Sequence, residues 1–67
     1  MTIAQSILDA NLDDNCVVID ESELMSEAAD ECIDASIWKD EDGYTRAIYI
    51  FSDESRLYIR PCGPEVY

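Results

Sequence analysis

Glu23, Glu27, Asp30 and Asp34 follow one another at spacings of four, three and four residues, with Glu31 beside them. On a helix those intervals put the carboxylates on a single face, with neighbours stepping roughly 4.5 to 6 Å along the axis. Three chemistries can use such a row: proton transfer, cation binding, or capture of a basic surface. Proton transfer fits worst. The chain has no histidine, the commonest general base and nucleophile activator, and nothing marks any two carboxylates as sharing a buried pocket. Lys39, the only lysine, lies beside acids at a turn, where solvation is favoured over activation. The expectation is a protein that is not an enzyme.

Cation binding fares little better. In "WKDEDGY", Asp40, Asp42 and Gly43 match the third, fifth and sixth positions of a calcium loop. Trp38 then falls on the first ligand position and Tyr49 on the twelfth, where a bidentate acid is required. An acidic hairpin turn explains the segment better. Cys16, Cys32 and Cys62 are scattered and have no histidine to complete a zinc site. Cys32 and Cys16 are expected to be small core residues. Only Gly43 and Gly63 are present, so no glycine-rich phosphate loop exists, and neither metal nor cofactor is expected.

That leaves charge itself. Sixteen Asp and Glu stand against four Lys and Arg, a formal net charge of −12. Residues 1–34 hold ten of the carboxylates and no base, whereas residues 35–67 hold six, offset by Lys39, Arg46, Arg56 and Arg60. Such a molecule is repelled by nucleic acid and anionic membranes and drawn to basic surfaces. The like-charged pairs Glu23–Glu27, Glu27–Glu31 and Asp30–Asp34 each cost a helix on the order of 0.2–0.5 kcal/mol. Asp34 would also sit at the helix end whose dipole disfavours a carboxylate. Capping accounts for Asp20, Glu21 and Glu23, but Glu27, Asp30, Glu31 and Asp34 have no folding rationale. An idle solvated face is the bland alternative, yet such faces usually mix signs. The base-free run favours a working acidic surface of Glu23, Glu27, Asp30, Glu31 and Asp34. Asp40, Glu41 and Asp42 at the hairpin tip either extend that surface or form a separate one.

The elements that must position these residues follow from spacing. At 67 residues the chain reads as one domain, residues 1–67, near the lower limit for a single hydrophobic core. Thr2 with Gln5 fits a capping box, and Ile3, Ile7 and Leu8 share a face, which predicts a first helix over about residues 3–11. "CVVI", residues 16–19, is either a short edge strand or a buried linker. Asp20 as N-cap, Glu23 three residues on and an Ile19–Leu24 staple predict a second helix over about 21–34. Its apolar stripe is Leu24, Met25, Ala28, Ala29, Cys32 and Ile33.

After Ala35 the period changes to that of strands. Segments 36–39, 44–51 and 56–60 are rich in β-branched and aromatic residues and are separated by "DEDG" and "SDES". The fold expected is α+β, two helices on one face of a three-stranded antiparallel meander, in the order ααβββ. Pro61 and Pro64 cannot donate ladder hydrogen bonds, so residues 61–67 read as an irregular tail. Alternation nominates Ile37, Ile48, Ile50, Leu57 and Ile59 for the helix-covered face. Trp38, Ala47, Tyr49, Phe51 and Tyr58 then lie on the other, with Arg56 and Arg60 alongside.

A tiny, acidic α+β chain with a base-free half, above all "ESELMSEAADECID", resembles the small phage-encoded inhibitors of host defence. These are the anti-CRISPR and antirestriction proteins, several of which mimic DNA. The resemblance rests on composition and architecture over the whole chain. It implies stoichiometric inhibition at the DNA-contacting groove of a host nuclease or surveillance complex, type I CRISPR complexes being the leading case. The implied partner is a basic nucleic-acid-binding protein, with no direct contact to nucleic acid or membrane. A competing expectation is an interaction or homodimerisation module built on Trp38, Tyr49, Phe51 and Tyr58, since aromatics beside arginine are favoured at interface cores. The chain is thus expected as a monomer or homodimer. With no signal peptide, no membrane span and an odd cysteine count, its expected place is a reduced cytosol, that of the host cell if phage-encoded.

Overall fold

Two side-chain caps start the helices. In the computed structural model, which describes residues 1–67, α1 spans Ile3–Ala10 and α2 spans Glu21–Glu31. The Thr2 hydroxyl accepts the Gln5 N–H (3.2 Å), and Asp20 Oδ1 accepts the N–H groups of Ser22 (2.9 Å) and Glu23 (3.4 Å). Each cap satisfies amides that the first turn leaves without a partner. The Gln5 amide reaches not back to the cap but forward to Asp9 (2.7 Å). Ile19 is 70% exposed, so the expected staple onto Leu24 does not form.

Helix α2 stops at Glu31, three residues short of the expected end. The Ile33 N–H bonds to Ile50 O (2.8 Å), which draws the chain into the sheet before another turn can form. Asp34 therefore opens β1 and has left the helix. Four antiparallel strands follow, β1 (Asp34–Lys39), β2 (Thr45–Ile50), β3 (Arg56–Ile59) and β4 (Glu65–Val66), paired in that order. The sheet thus has one strand more than expected, and it comes from the tail. Pro61 and Pro64 are confined to the β3–β4 turn, where no ladder donor is needed, and Leu57 then pairs with Val66. Tyr67 extends the pairing by exchanging both backbone bonds with Arg56 (3.2 and 3.0 Å). Residues 16–19 form no strand, only a single bridge between Leu12 and Val18.

Three turns share one geometry. Residues 13–17, 40–44 and 51–55 each close with the first residue's N–H on the fifth residue's carbonyl, at 2.9, 3.0 and 2.9 Å. In each, the fourth residue's N–H returns to the first carbonyl and its φ is positive: Cys16 +60°, Gly43 +83°, Glu54 +70°. That is a three-residue hairpin loop ending in a left-handed residue. Asp13 and Asp40 reinforce two of them, each accepting two backbone N–H groups on Oδ1. Cys16 is exposed at such a position instead of buried as expected, because the turn needs its backbone conformation and leaves the side chain outside the core.

The 51–55 turn also decides which sheet face is covered. A three-residue loop puts Phe51 opposite Ser55, hence Tyr49 opposite Leu57 and Ala47 opposite Ile59. Directly opposed residues point to the same side. With Leu57 and Ile59 inward, Ala47, Tyr49 and Phe51 must be inward too, and all are buried. Ile48 and Ile50 turn outward and are half-buried, which reverses the β2 assignment read from alternation. The helices meet this face with Ala4, Ile7, Leu24 and Ala28. The two alanines allow close approach, and the aromatic rings fill the space between layers. Burial of each ring is worth roughly 1.5–3 kcal/mol.

One polar cluster fixes α1 to the sheet. Asp53 Oδ2 accepts the Ile3 N–H (2.8 Å), and the Ser55 hydroxyl accepts the Ala4 N–H (3.1 Å) while donating to Asp53 Oδ1. Ser55 is the one buried polar residue. Losing its hydroxyl would strand the buried Ala4 N–H at a cost of about 1–3 kcal/mol. Helix α1 packs on α2, β3 and β4, and every residue of β1 is exposed.

Glu54→Gly relieves a left-handed glutamate and is expected to stabilise the fold by about 0.5–1 kcal/mol, read as a higher urea midpoint at unchanged slope. The Ser55 hydroxyl first, and then the Ile3 N–H, hold the Asp53 carboxyl below its ordinary value of 3.8. A lowered folded-state pKa gives stability that is complete above the unfolded value and lost as pH falls through the folded one. Asp53→Asn should therefore melt lower than the natural chain at neutral pH and lose less on acidification below about pH 4, as thermal denaturation followed by circular dichroism will show.

Candidate partner-binding surface

Helix α2 buries Leu24 and Ala28, half-buries Met25 and exposes Glu23, Ser26, Glu27, Asp30 and Glu31. Of the expected row, Glu23, Glu27 and Asp30 therefore stay in line with Glu31 flanking, while Asp34 stands apart on β1. There its carboxylate accepts the Ala35 N–H (2.9 Å). Ala29 and Ile33, assigned to the apolar stripe, are exposed, Ile33 at 69%. Early termination of the helix carries Ile33 out of the stripe.

Glu27 has a role in the fold that the sequence reading denied it. Asn11, the C-cap of α1, donates its amide to Ile7 O (2.8 Å) and to Glu27 Oε2 (2.7 Å). The contact joins the end of one helix to the middle of the other. Around it, Asn11, Glu23, Ser26, Glu27 and Asp30 line a shallow notch of about 310 Å³ without a single apolar side chain. Such a hollow suits a charged or hydrogen-bonding group and offers nothing to an apolar one. Asn11 and Ser26 were not nominated from sequence. An asparagine just past a helical run was the available signal for the first, and none marked the second.

The hairpin-tip acids divide. Asp40 is committed to its own turn: Oδ1 takes the Asp42 and Tyr44 N–H groups, and Oδ2 meets Arg46 Nε at 2.8 Å. The hydrogen bond from Arg46 lowers its pKa, and the Arg46 value rises in return. Glu41 and Asp42 remain exposed. Six residues of extended chain separate Asp34 from Asp40, about 20 Å along the strand direction. The tip is thus not continuous with the acid at the start of β1.

The aromatic interface expected on the outer face loses half its members. Tyr49 (1% exposed) and Phe51 (0%) are core residues. Trp38 and Tyr58 do lie on the outer face, 6.3 Å apart between ring centroids, with Tyr67 added 6.5 Å from Tyr58. Arg46 donates to the Tyr58 hydroxyl (3.2 Å), and Arg60 pairs with Glu65 (2.9 Å). Pairing of Arg46 with Trp38 and of Arg56 with Ile50 puts those arginines on the outer side, and Arg60, next to inward Ile59, joins them. All three arginines therefore occupy the face turned away from the helices.

No group of three or more His, Cys, Asp or Glu is arranged to hold a metal ion. Cys32 is half-buried against the core and donates its thiol to Ala29 O (3.3 Å), and Cys62 is exposed. No helix is long and apolar enough to cross a membrane. Comparison with family models, curated proteins and solved structures produced no match to this chain.

The Asn11 contact separates two acids that look alike in sequence. Glu27→Ala is expected to destabilise the fold by up to about 1 kcal/mol. Asp30→Ala should be neutral or slightly stabilising, because no hydrogen bond is lost and helical charge repulsion falls. Urea denaturation of the two variants side by side checks this.

Proposed function

We propose that this chain is a non-enzymatic inhibitor whose acidic helix layer occupies the cationic, nucleic-acid-binding surface of another protein in place of DNA. The observation that carries the reading is the segregation of charge. Residues 1–34, which include both helices, contain no base, while Arg46 and Arg60 of the other half pair with Asp40 and Glu65. Glu23, Asp30 and Glu31 are thus exposed with no cation to neutralise them. With Glu27 between Glu23 and Asp30, the row steps roughly 6 and 4.5 Å along the helix axis, the same order as the roughly 3.4 Å per phosphate of one DNA strand. A row of basic side chains that tracks a phosphate backbone can meet them with little rearrangement.

The resemblance to phage-encoded inhibitors points to a host defence protein as the partner, acting in the host cytosol, with the DNA channel of a type I CRISPR surveillance complex as the first target. The chain would block entry of target DNA stoichiometrically. Attraction of this kind weakens steeply with salt and is competed by duplex DNA.

Because Glu27 ties the helices together, the test leaves it in place. Glu23→Lys, Asp30→Lys and Glu31→Lys combined are expected to weaken inhibition of DNA binding by a purified type I complex at least about tenfold, with an unchanged circular dichroism spectrum. Undiminished inhibition by the folded triple variant would remove the acidic helix from the mechanism, and failure of the natural chain to compete with DNA would remove the target.

A further inference from the structure

The helix layer leaves one strand of the sheet bare. Strand β1 is an edge, all six of its residues are exposed, and Ile37, on the helix side of the sheet, is 61% exposed. Ile33, just before the strand, is 69% exposed. Proteins usually blunt an open edge with proline, a bulge or repeated charge. Strand β1 has no proline and pairs with β2 without a bulge from Asp34 to Lys39. Its own charges, Asp34 and Lys39, cancel, in a chain whose net charge is −12. A second copy therefore meets no net charge on the strand itself.

The hydrogen-bond pattern shows what the edge offers. The Asp40 N–H bonds to Tyr44 O across the β1–β2 hairpin, so by alternation Trp38 and Ser36 also direct their backbone groups toward β2. Ala35, Ile37 and Lys39 direct theirs outward. A symmetric antiparallel pair using those residues has its two-fold axis at Ser36, Ile37 or Trp38. An axis at Ile37 sets Asp34 opposite Asp40, and one at Trp38 sets Asp34 opposite Asp42. Within β1, an axis at Ser36 opposes no acid to another: Asp34 meets Trp38, and Ala35 meets Ile37. Ala35 and Ile37 of both copies then form one apolar strip on the helix side. The Ala35 N–H, held by Asp34 in the single chain, exchanges that bond for the carbonyl of Ile37 in the second copy.

From this we infer that β1 is a homodimer seam, two copies pairing antiparallel about a two-fold axis at Ser36 to form a continuous eight-stranded sheet. This contact is distinct from the acidic surface and independent of its function. It also responds oppositely to salt. Screening the repulsion between two anionic copies strengthens dimerisation, whereas it weakens capture of a basic partner.

Sedimentation of the full chain over a range of concentrations, at low and high salt, tests the seam. The expected result is a concentration-dependent dimer that tightens as salt rises. Ile37→Lys, at an exposed site, should raise the dissociation constant at least about tenfold. A second measurement does not depend on that variant. Ser36→Cys, combined with Cys16→Ser and Cys62→Ser, should give a dimer linked through position 36 on mild oxidation with glutathione disulfide, as peptide mass mapping will show. A monomer at every concentration and salt would overturn the proposal. So would a dimer indifferent to Ile37→Lys, or one that fails to link at position 36.

Discussion

Everything else in this molecule depends on how the first turn of α1 is held by the β2–β3 turn. An eight-residue helix does not persist in water, because nucleation costs more than so few propagating bonds return. Here Asp53 and Ser55 accept the Ile3 and Ala4 amides, groups that no helix can satisfy internally. The link spans fifty residues of sequence, so it forms only when the meander has formed. It sets α1 over β3 and β4, and α2 follows because Asn11 and Glu27 join the helices at the other end. The anchored side of the sheet is thereby covered and β1 is left beyond the helices.

Charge segregation is a consequence of register. The 51–55 loop has the length that puts Tyr49 opposite Leu57, and that single relation sends Arg46, Arg56 and Tyr58 outward together. A slip of one residue would reverse the faces of the β2–β3 pair. Once outward, Arg46 and Arg60 find Asp40 and Glu65, acids of their own half of the chain. Arg46 and Arg56 are then turned away from the helix layer, and Arg60 is held by Glu65 and the Gly63 carbonyl. The carboxylates of α2 remain unneutralised although several of them disfavour the helix that carries them.

Much of this was legible in the residues, and the misses have definite physical causes. Thr2 and Asp20 announced both helix starts because a cap is a local device, read within three residues. The change to a strand period after Ala35 was equally local. The inner face of β2 was not legible by alternation, because Ile48, Tyr49, Ile50 and Phe51 are all apolar and either face would serve. Counting the loop between Phe51 and Ser55 would have resolved it. The end of α2 was hidden because the bond that ends it comes from Ile50, seventeen residues after Ile33. Asp34 was misplaced with it. Cys16 and the tail strand failed for the same reason: a left-handed turn position and a two-residue strand are set by their partners and not by their own side chains. In the candidate site, the acidity of α2 was visible as composition, but only the tertiary contact with Asn11 distinguishes Glu27 from Asp30.

The bare edge and the acidic layer bear on each other through symmetry. A two-fold axis perpendicular to the sheet preserves its faces, so pairing through β1 brings both helix layers to one side and both arginine faces to the other. The acidic rows of two copies would then lie on one surface, flanking a seam that carries no net charge. For a partner with an extended basic channel, two rows held at a fixed separation act as a bivalent ligand, and the second contact forms at high effective concentration. The separation would be set by the eight-stranded sheet, strand after strand at roughly 4.8 Å, and not by the helices themselves. Spacing of charge would then be a property of the assembly, while sign and density of charge belong to the single chain. Those two properties reside in different elements, α2 for the charge and β1 for its repetition, and residues 32 and 33, where the helix gives way to the strand, are all that separates them.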